Sequence, residues 1–160
     1  PDGELNWQEN SGDVKYHLGT SYTRTMPNGK PMTVEILANP SHLECVNPVV
    51  MGKARAEQHF SGDENKRARI VPMLIHGDAA FLVKESFMNH ANVDLTNYTV
   101  GGTVHVVVNN QIGFTTVPSK GRSATYATDL AKAIDAPIFH VNADSMEEVY
   151  LVFKAAGEYR

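Results

Sequence analysis

Three unbroken apolar runs mark the second half of the chain, and each stops at a small polar cluster. Residues 70–76 (IVPMLIH) end in Gly77-Asp78, residues 103–108 (TVHVVV) end in Asn109-Asn110, and residues 138–141 (IFHV) end in Asn142. Short apolar runs without alternation predict strands covered on both faces, as in a parallel sheet. Helix-forming stretches near 79–89 and 124–134 lie between them. After the third run, Ser145-Met146-Glu147-Glu148 has the spacing of a capping box. It leads into Val149, Val152, Phe153 and Ala156, which share one helical face. Earlier in the chain, residues 33–38 (TVEILA) are rich in β-formers and bounded by turn residues, which predicts another strand. Asn39-Pro40-Ser41 breaks it, and Ser41-His42-Leu43-Glu44 is a second capping-box pattern. Residues 51–60 are good helix formers, residues 61–65 read as a turn, and residues 1–12 read as polar loop. Strands alternating with helices predict an α/β fold: an open, mostly parallel sheet with helices on both faces and right-handed crossovers.

Composition narrows this reading. The 160 residues carry a net charge of -4 and are 42% hydrophobic, enough for one core. The acidic balance lacks the clustered basic face that nucleic-acid binding needs, and no apolar run is long enough to cross a bilayer. Cys45 is the single cysteine, which excludes an internal disulfide and fits an intracellular chain. Pro1 opens the sequence without a methionine or a targeting segment, and Arg160 directly follows an amphipathic pattern. The expectation is that residues 1–160 are part of a domain cut at both ends from a longer polypeptide.

In open α/β sheets, ligands bind beyond the carboxyl ends of the strands. Gly77-Asp78-Ala79-Ala80 and Asn109-Asn110-Gln111-Ile112 occupy two such ends. Magnesium prefers hard oxygen ligands, few of them carboxylates, with phosphate oxygens completing its shell. Asp78 can supply a carboxylate, Asn110 an amide oxygen, and a carbonyl just beyond Asn110 a third ligand. Small Ala79 and Ala80 would let a diphosphate approach the helix that follows. A plain turn with Asp78 as helix cap accounts for the same residues, and the pattern alone leaves both readings open. His76, His105 and His140 lie in apolar runs and read as packed groups rather than ligands. His59 and His90 read as surface residues, and His42 fits either class. The histidines lack the paired spacing of a zinc site. Gly101-Gly102 precedes a strand instead of following one, so the dinucleotide and phosphate-loop fingerprints both fail.

Longer strings carry a resemblance. Gly12-Asp13-Val14-Lys15-Tyr16-His17-Leu18-Gly19, Asn39-Pro40-Ser41-His42-Leu43-Glu44, His76-Gly77-Asp78-Ala79-Ala80-Phe81, the stretch from Val107 to Thr116 (VVNNQIGFTT) and Ala136-Pro137-Ile138-Phe139-His140-Val141-Asn142 stand in this order. The set resembles the decarboxylase components of the 2-oxoglutarate-dehydrogenase type, in the thiamine-diphosphate-dependent 2-oxo acid dehydrogenase family. The resemblance covers about residues 12–160 and corresponds to the diphosphate-binding half of the family's site. It implies that Asp78, the Asn110 side chain and the Ile112 carbonyl hold Mg2+. It further implies that Ala79 and Ala80 line the diphosphate, that Ser41 and Leu43 contact thiamine diphosphate, and that His17 is a catalytic histidine near the 2-oxo acid. Near-neutral titration suits an imidazole to that post. Ser41 could serve as helix cap, cofactor contact or both.

The implied activity is oxidative decarboxylation of 2-oxoglutarate, or a close 2-oxo acid, with transfer of the acyl group to a lipoyl group. The implied partners are a lipoyl-bearing acyltransferase and dihydrolipoyl dehydrogenase, with a homodimer as the full-length state. Location would be the mitochondrial matrix in a eukaryote and the cytoplasm in a bacterium. The sequence departs from the family at residues 82–93, where LVKESF and then MNHANV replace the usual Ala-Gly-Gln-Gly and the following Tyr-Glu. Val117-Pro118 also replaces Asp-Pro. These departures raise the alternative of a non-catalytic paralogue or fragment acting as an assembly module. A different magnesium-phosphate binder on an α/β sheet is a third reading.

Overall fold

The computed structural model describes residues 15–43, 45–83 and 99–160, and for Leu82 and Val83 the backbone alone. The polar segment at residues 1–12, Glu44 of the first capping pattern and residues 84–93 of the divergent segment lie outside the described residues. The chain forms two compact units, residues 1–46 and 47–160.

The first unit is an antiparallel hairpin of β1 (Thr20–Thr25) and β2 (Pro31–Ile36), paired from Thr20 opposite Ile36 to Thr25 opposite Pro31. Between the strands, Pro27-Asn28-Gly29 supplies the turn. The Gly29 N–H donates to the Met26 carbonyl at 2.8 Å and the Lys30 N–H to Asn28 Oδ1 at 3.0 Å. Cross-strand contacts include a hydroxyl pair between Thr23 and Thr33 at 2.8 Å. A 3-10 turn, Lys15–Leu18, precedes the hairpin. Gly19 joins the two with φ +71, and a Cβ there would lie 2.6 Å from the Ile36 carbonyl oxygen and 2.8 Å from the Ala38 nitrogen. Both obstacles are backbone atoms, so Gly19→Ala is expected to cost about 2 kcal/mol or more. Hydrogen exchange on the full-length protein checks this: amides of β1 and β2 should lose protection, while those of the second unit should not.

The second unit begins at helix α1 (Val46–Phe60), with Pro48 in the first turn, where its missing N–H costs nothing. Asn47, Ala54 and Gln58 are its buried residues and recur at helical spacing. Out of α1, the Gly62 and Asp63 amides bond back to the His59 and Gln58 carbonyls at 3.1 and 2.8 Å. Strands β3 (Met73–Gly77) and β4 (Val104–Val108) pair in parallel, from Met73 beside Val104 to Gly77 beside Val108. Helix α2 (Asp78–Val83) follows β3 without a loop and packs on both strands. Helix α3 (Met146–Tyr159) closes the unit.

The approach to β3 and β4 is fixed by two side chains. Fully buried Gln58 donates through Nε2 to the Ile70 carbonyl at 2.9 Å and the Val100 carbonyl at 2.8 Å. Arg160, at the end of α3, donates to the same two carbonyls at 3.1 and 2.8 Å, and to those of Arg67 and Gly102 at 2.8 and 3.1 Å. Burial lowers the Arg160 pKa, and the charge of Asp63 opposes that shift. Each shared carbonyl thereby uses both lone pairs, and the two segments feeding the sheet are held side by side.

Several sequence expectations need correction. β1 is absent from the sequence reading, and β2 sits two residues earlier than the strand expected at 33–38. Residues 138–141 form no strand, so the parallel sheet has two strands among the described residues. An apolar run signals burial and leaves the identity of the neighbour unspecified. Burial on both faces also fails for β3: Leu74 and His76 are buried while Met73 and Ile75 are exposed. Neither serine caps its helix. Ser41 lies in a turn five residues before α1, and the Ser145 side chain makes no cap bond to α3. Of the face expected on α3, Val149, Val152 and Ala156 are half-buried and Phe153 is 41% exposed. Residues 124–134 give a 3-10 helix only at Asp129–Ile134. His105 and His140 are exposed, whereas His76 is buried as expected. The α/β class itself holds, with mixed helices and strands and a small parallel sheet.

Candidate functional site

Parallel pairing puts Gly77 beside Val108, so Asp78 and Asn109-Asn110 leave the sheet at the same end of neighbouring strands. Asp78 is both the last step out of β3 and the first residue of α2. Three residues on, Phe81 is 5% exposed, its ring 5.0 Å from that of His76 and 6.0 Å from that of His105. His76 and His105 stack nearly parallel with Nε2 of one 3.0 Å from Nδ1 of the other. This aromatic packing anchors α2 on the sheet and thereby sets where Asp78 stands.

The Asp78 carboxylate is 6% exposed and must find charge and hydrogen-bond partners. Oδ1 accepts the Gln111 N–H at 3.1 Å, and Oδ2 accepts Arg122 Nη1 at 3.3 Å. The same Arg122 nitrogen also donates to Asn109 Oδ1 at 3.2 Å. Asn110 Oδ1 accepts the Ile112 N–H at 3.0 Å, folding the loop back on itself. Gln111 and Phe114 take left-handed backbone, φ 60 and 53. Gly113 then passes so close to α2 that a Cβ would lie 3.3 Å from that of Ala79. Here small residues are required on both sides of a close approach.

These pieces surround a cavity of about 380 Å³ lined by Asp78, Ala79, Gln111, Thr116 and Arg122, with Gly113 and Gly121 on its wall. Asn110, Ala80 and Ile112 stand next to the lining residues in sequence without lining it themselves, and Ile112 is 68% exposed. Of the three expected metal ligands, Asp78 lines the cavity, and its carboxylate is a hard oxygen donor of the kind Mg2+ takes. Each oxygen of Asp78, and Oδ1 of Asn110, can accept a further partner beyond its present one. A carboxylate on the wall and small residues around it suit a metal-bound diphosphate at Asp78, with Asn110 and Ile112 beside the lining in sequence.

The other expected residues belong to the first unit. His17 is half-buried in the 3-10 turn, its ring edge-on to Tyr16 at 4.4 Å. Its carbonyl accepts the Asn39 N–H at 2.9 Å, which ties the turn before β1 to the turn after β2. Ser41 and Leu43 lie in that second turn, both exposed, with the Leu43 N–H bonded to the Ser41 carbonyl at 2.9 Å. Arg122 is the site residue that the sequence reading missed. It lies far along the chain from Asp78, and a single arginine in the loop 117–123 carries no motif that would single it out.

The sequence matches the dehydrogenase E1 component family over residues 5–160. It is 53% identical over 156 residues to the mitochondrial 2-oxoglutarate dehydrogenase of Schizosaccharomyces pombe. It is 50% identical over 156 residues to that of Saccharomyces cerevisiae. A mitochondrial 2-oxoglutarate dehydrogenase-like protein of Rattus norvegicus is 53% identical over 157 residues. Each alignment covers 95% of this chain and 15% of the relative, so the chain spans about one seventh of the length of these proteins. Matched over nearly all of its length, the chain belongs to the dehydrogenase E1 component family.

Proposed function

We propose that this chain forms part of the magnesium- and diphosphate-binding half of a 2-oxoglutarate dehydrogenase decarboxylase component. The parent protein oxidatively decarboxylates 2-oxoglutarate, or a close 2-oxo acid, and passes the acyl group to a lipoyl group on an acyltransferase. The observation that carries the reading is the placing of Asp78 and the 109–113 loop at adjoining tips of parallel strands, around a cavity walled by small residues. Family membership and the names of the relatives support it.

In this reading Asp78, the Asn110 side chain and the Ile112 carbonyl hold Mg2+, while Ala79 and Ala80 leave room for the diphosphate. Ser41 and Leu43 contact the cofactor. Bound thiamine diphosphate supplies a ring that accepts the electron pair released as carbon dioxide leaves. His17 orients the 2-oxo acid and moves a proton at its ketone oxygen. Dihydrolipoyl dehydrogenase completes the complex, the parent works as a homodimer, and in a eukaryote its compartment is the mitochondrial matrix.

The test is carbon dioxide release from 2-oxoglutarate by the full-length protein, with ferricyanide as electron acceptor. Turnover requiring both thiamine diphosphate and Mg2+ is expected. Cofactor binding without turnover would leave the non-catalytic alternative raised by residues 82–93. Neither binding nor turnover would remove the enzyme reading altogether.

A further inference from the structure

Asp78 already has a cation. Arg122 Nη1 bridges the ends of both strands, 3.3 Å from Asp78 Oδ2 and 3.2 Å from Asn109 Oδ1, and its side chain is 23% exposed on the cavity wall. Tight charge-assisted pairs run at roughly 2.7–2.9 Å. At 3.3 Å this contact is loose, although Asp78 itself is almost wholly buried. A buried carboxylate without a counter-charge is costly, so some cation must sit beside it at every stage. A dication bound to the same carboxylate would repel the guanidinium across a few ångströms of a largely buried site. We infer that Arg122 is a positioning residue for metal loading: it neutralises Asp78 in the metal-free protein and is displaced when the metal binds. The inference rests on the metal reading of Asp78 given above and assigns Arg122 a role beyond it.

Loading then becomes an exchange of one cation for another. The metal-free carboxylate stays oriented toward the cavity instead of collapsing onto another donor, and metal entry waits on opening of the Arg122 pair. The full-length protein, stripped of metal and cofactor, tests this with Mn2+ alone, bound ion being counted by electron paramagnetic resonance. R122Q should bind Mn2+ about tenfold more tightly, roughly the worth of one charge-assisted contact. Its loading rate should rise linearly with Mn2+, whereas wild-type loading should level off at the opening rate of the pair. R122K, which keeps the charge but loses the fork, should fall between the two and serves if R122Q does not fold. D78N should lose Mn2+ in either background. Should D78N bind Mn2+ like wild type, the metal site itself is misassigned. Should D78N lose the ion while R122Q binds it equally or more weakly, the site stands and the exchange role of Arg122 is overturned.

Discussion

Replacing Asp78 with asparagine is expected to weaken magnesium-dependent binding of thiamine diphosphate to the full-length protein about 100- to 1,000-fold, or about 3–4 kcal/mol. The substitution is isosteric, so the fold around α2 should survive. Its amide oxygen can still accept the Gln111 N–H that now bonds to Asp78 Oδ1 at 3.1 Å. What disappears is the only carboxylate on the cavity wall among the described residues, leaving Arg122 facing a neutral group. A metal that keeps only an amide and a carbonyl holds its diphosphate poorly. Isothermal calorimetry with and without EDTA measures the loss. Magnesium-dependent affinity within threefold of wild type would remove Asp78 from the site.

The second large effect is expected at Phe81. Phe81 is 5% exposed, and its ring packs against the stacked pair of His76 and His105. Phe81→Ala removes a buried aromatic and leaves a void, at a cost of about 3–4 kcal/mol. Phe81→Leu keeps most of the volume and should cost about 1 kcal/mol. Because α2 starts at Asp78, the alanine variant should also loosen the carboxylate, so cofactor affinity should fall alongside stability. Chemical denaturation read together with cofactor titration checks both. A variant that loses stability but keeps full affinity would show that Asp78 is positioned by its own hydrogen bonds and not by the packing of α2.

The strand tips were readable because two kinds of signal coincide there. Residues 70–76 and 103–108 are continuously apolar, and each stops abruptly at residues suited to hydrogen bonding. The structure pairs these segments in parallel and puts Asp78 and Asn109 at the same end of the pair. β1 was illegible for the opposite reason. Its residues, TSYTRT, are polar and every one is exposed, so no apolar alternation announces it. The turn signal Pro27-Asn28-Gly29 was present and, set between two β-forming stretches, could have revealed the hairpin. Ser41 shows how a four-residue pattern misleads. It has the right partner three positions on, but the chain makes a tight turn at residues 39–43 and enters α1 only at Val46.

Long-range polar contacts were beyond the reach of the sequence. Gln58 and Arg160 meet at the carbonyls of Ile70 and Val100 although they stand at the ends of different helices. Arg122 reaches Asp78 across the whole of β4 and its loop. Periodicity reports which face of an element is buried. It carries no record of which distant side chain will satisfy a given carbonyl or carboxylate, because that depends on the packed arrangement.

A double-mutant cycle on the full-length protein tests most directly whether Asp78 and Asn110 hold one ion between them. Thiamine diphosphate affinity in saturating Mg2+ would be measured for wild type, D78N, N110A and the double variant. If both side chains bind the same metal, the double variant should lose little beyond D78N, with a coupling energy of about 1 kcal/mol or more. Strictly additive losses, within about 0.3 kcal/mol, would mean that the two residues act on separate things and that no shared ion joins the strand tips.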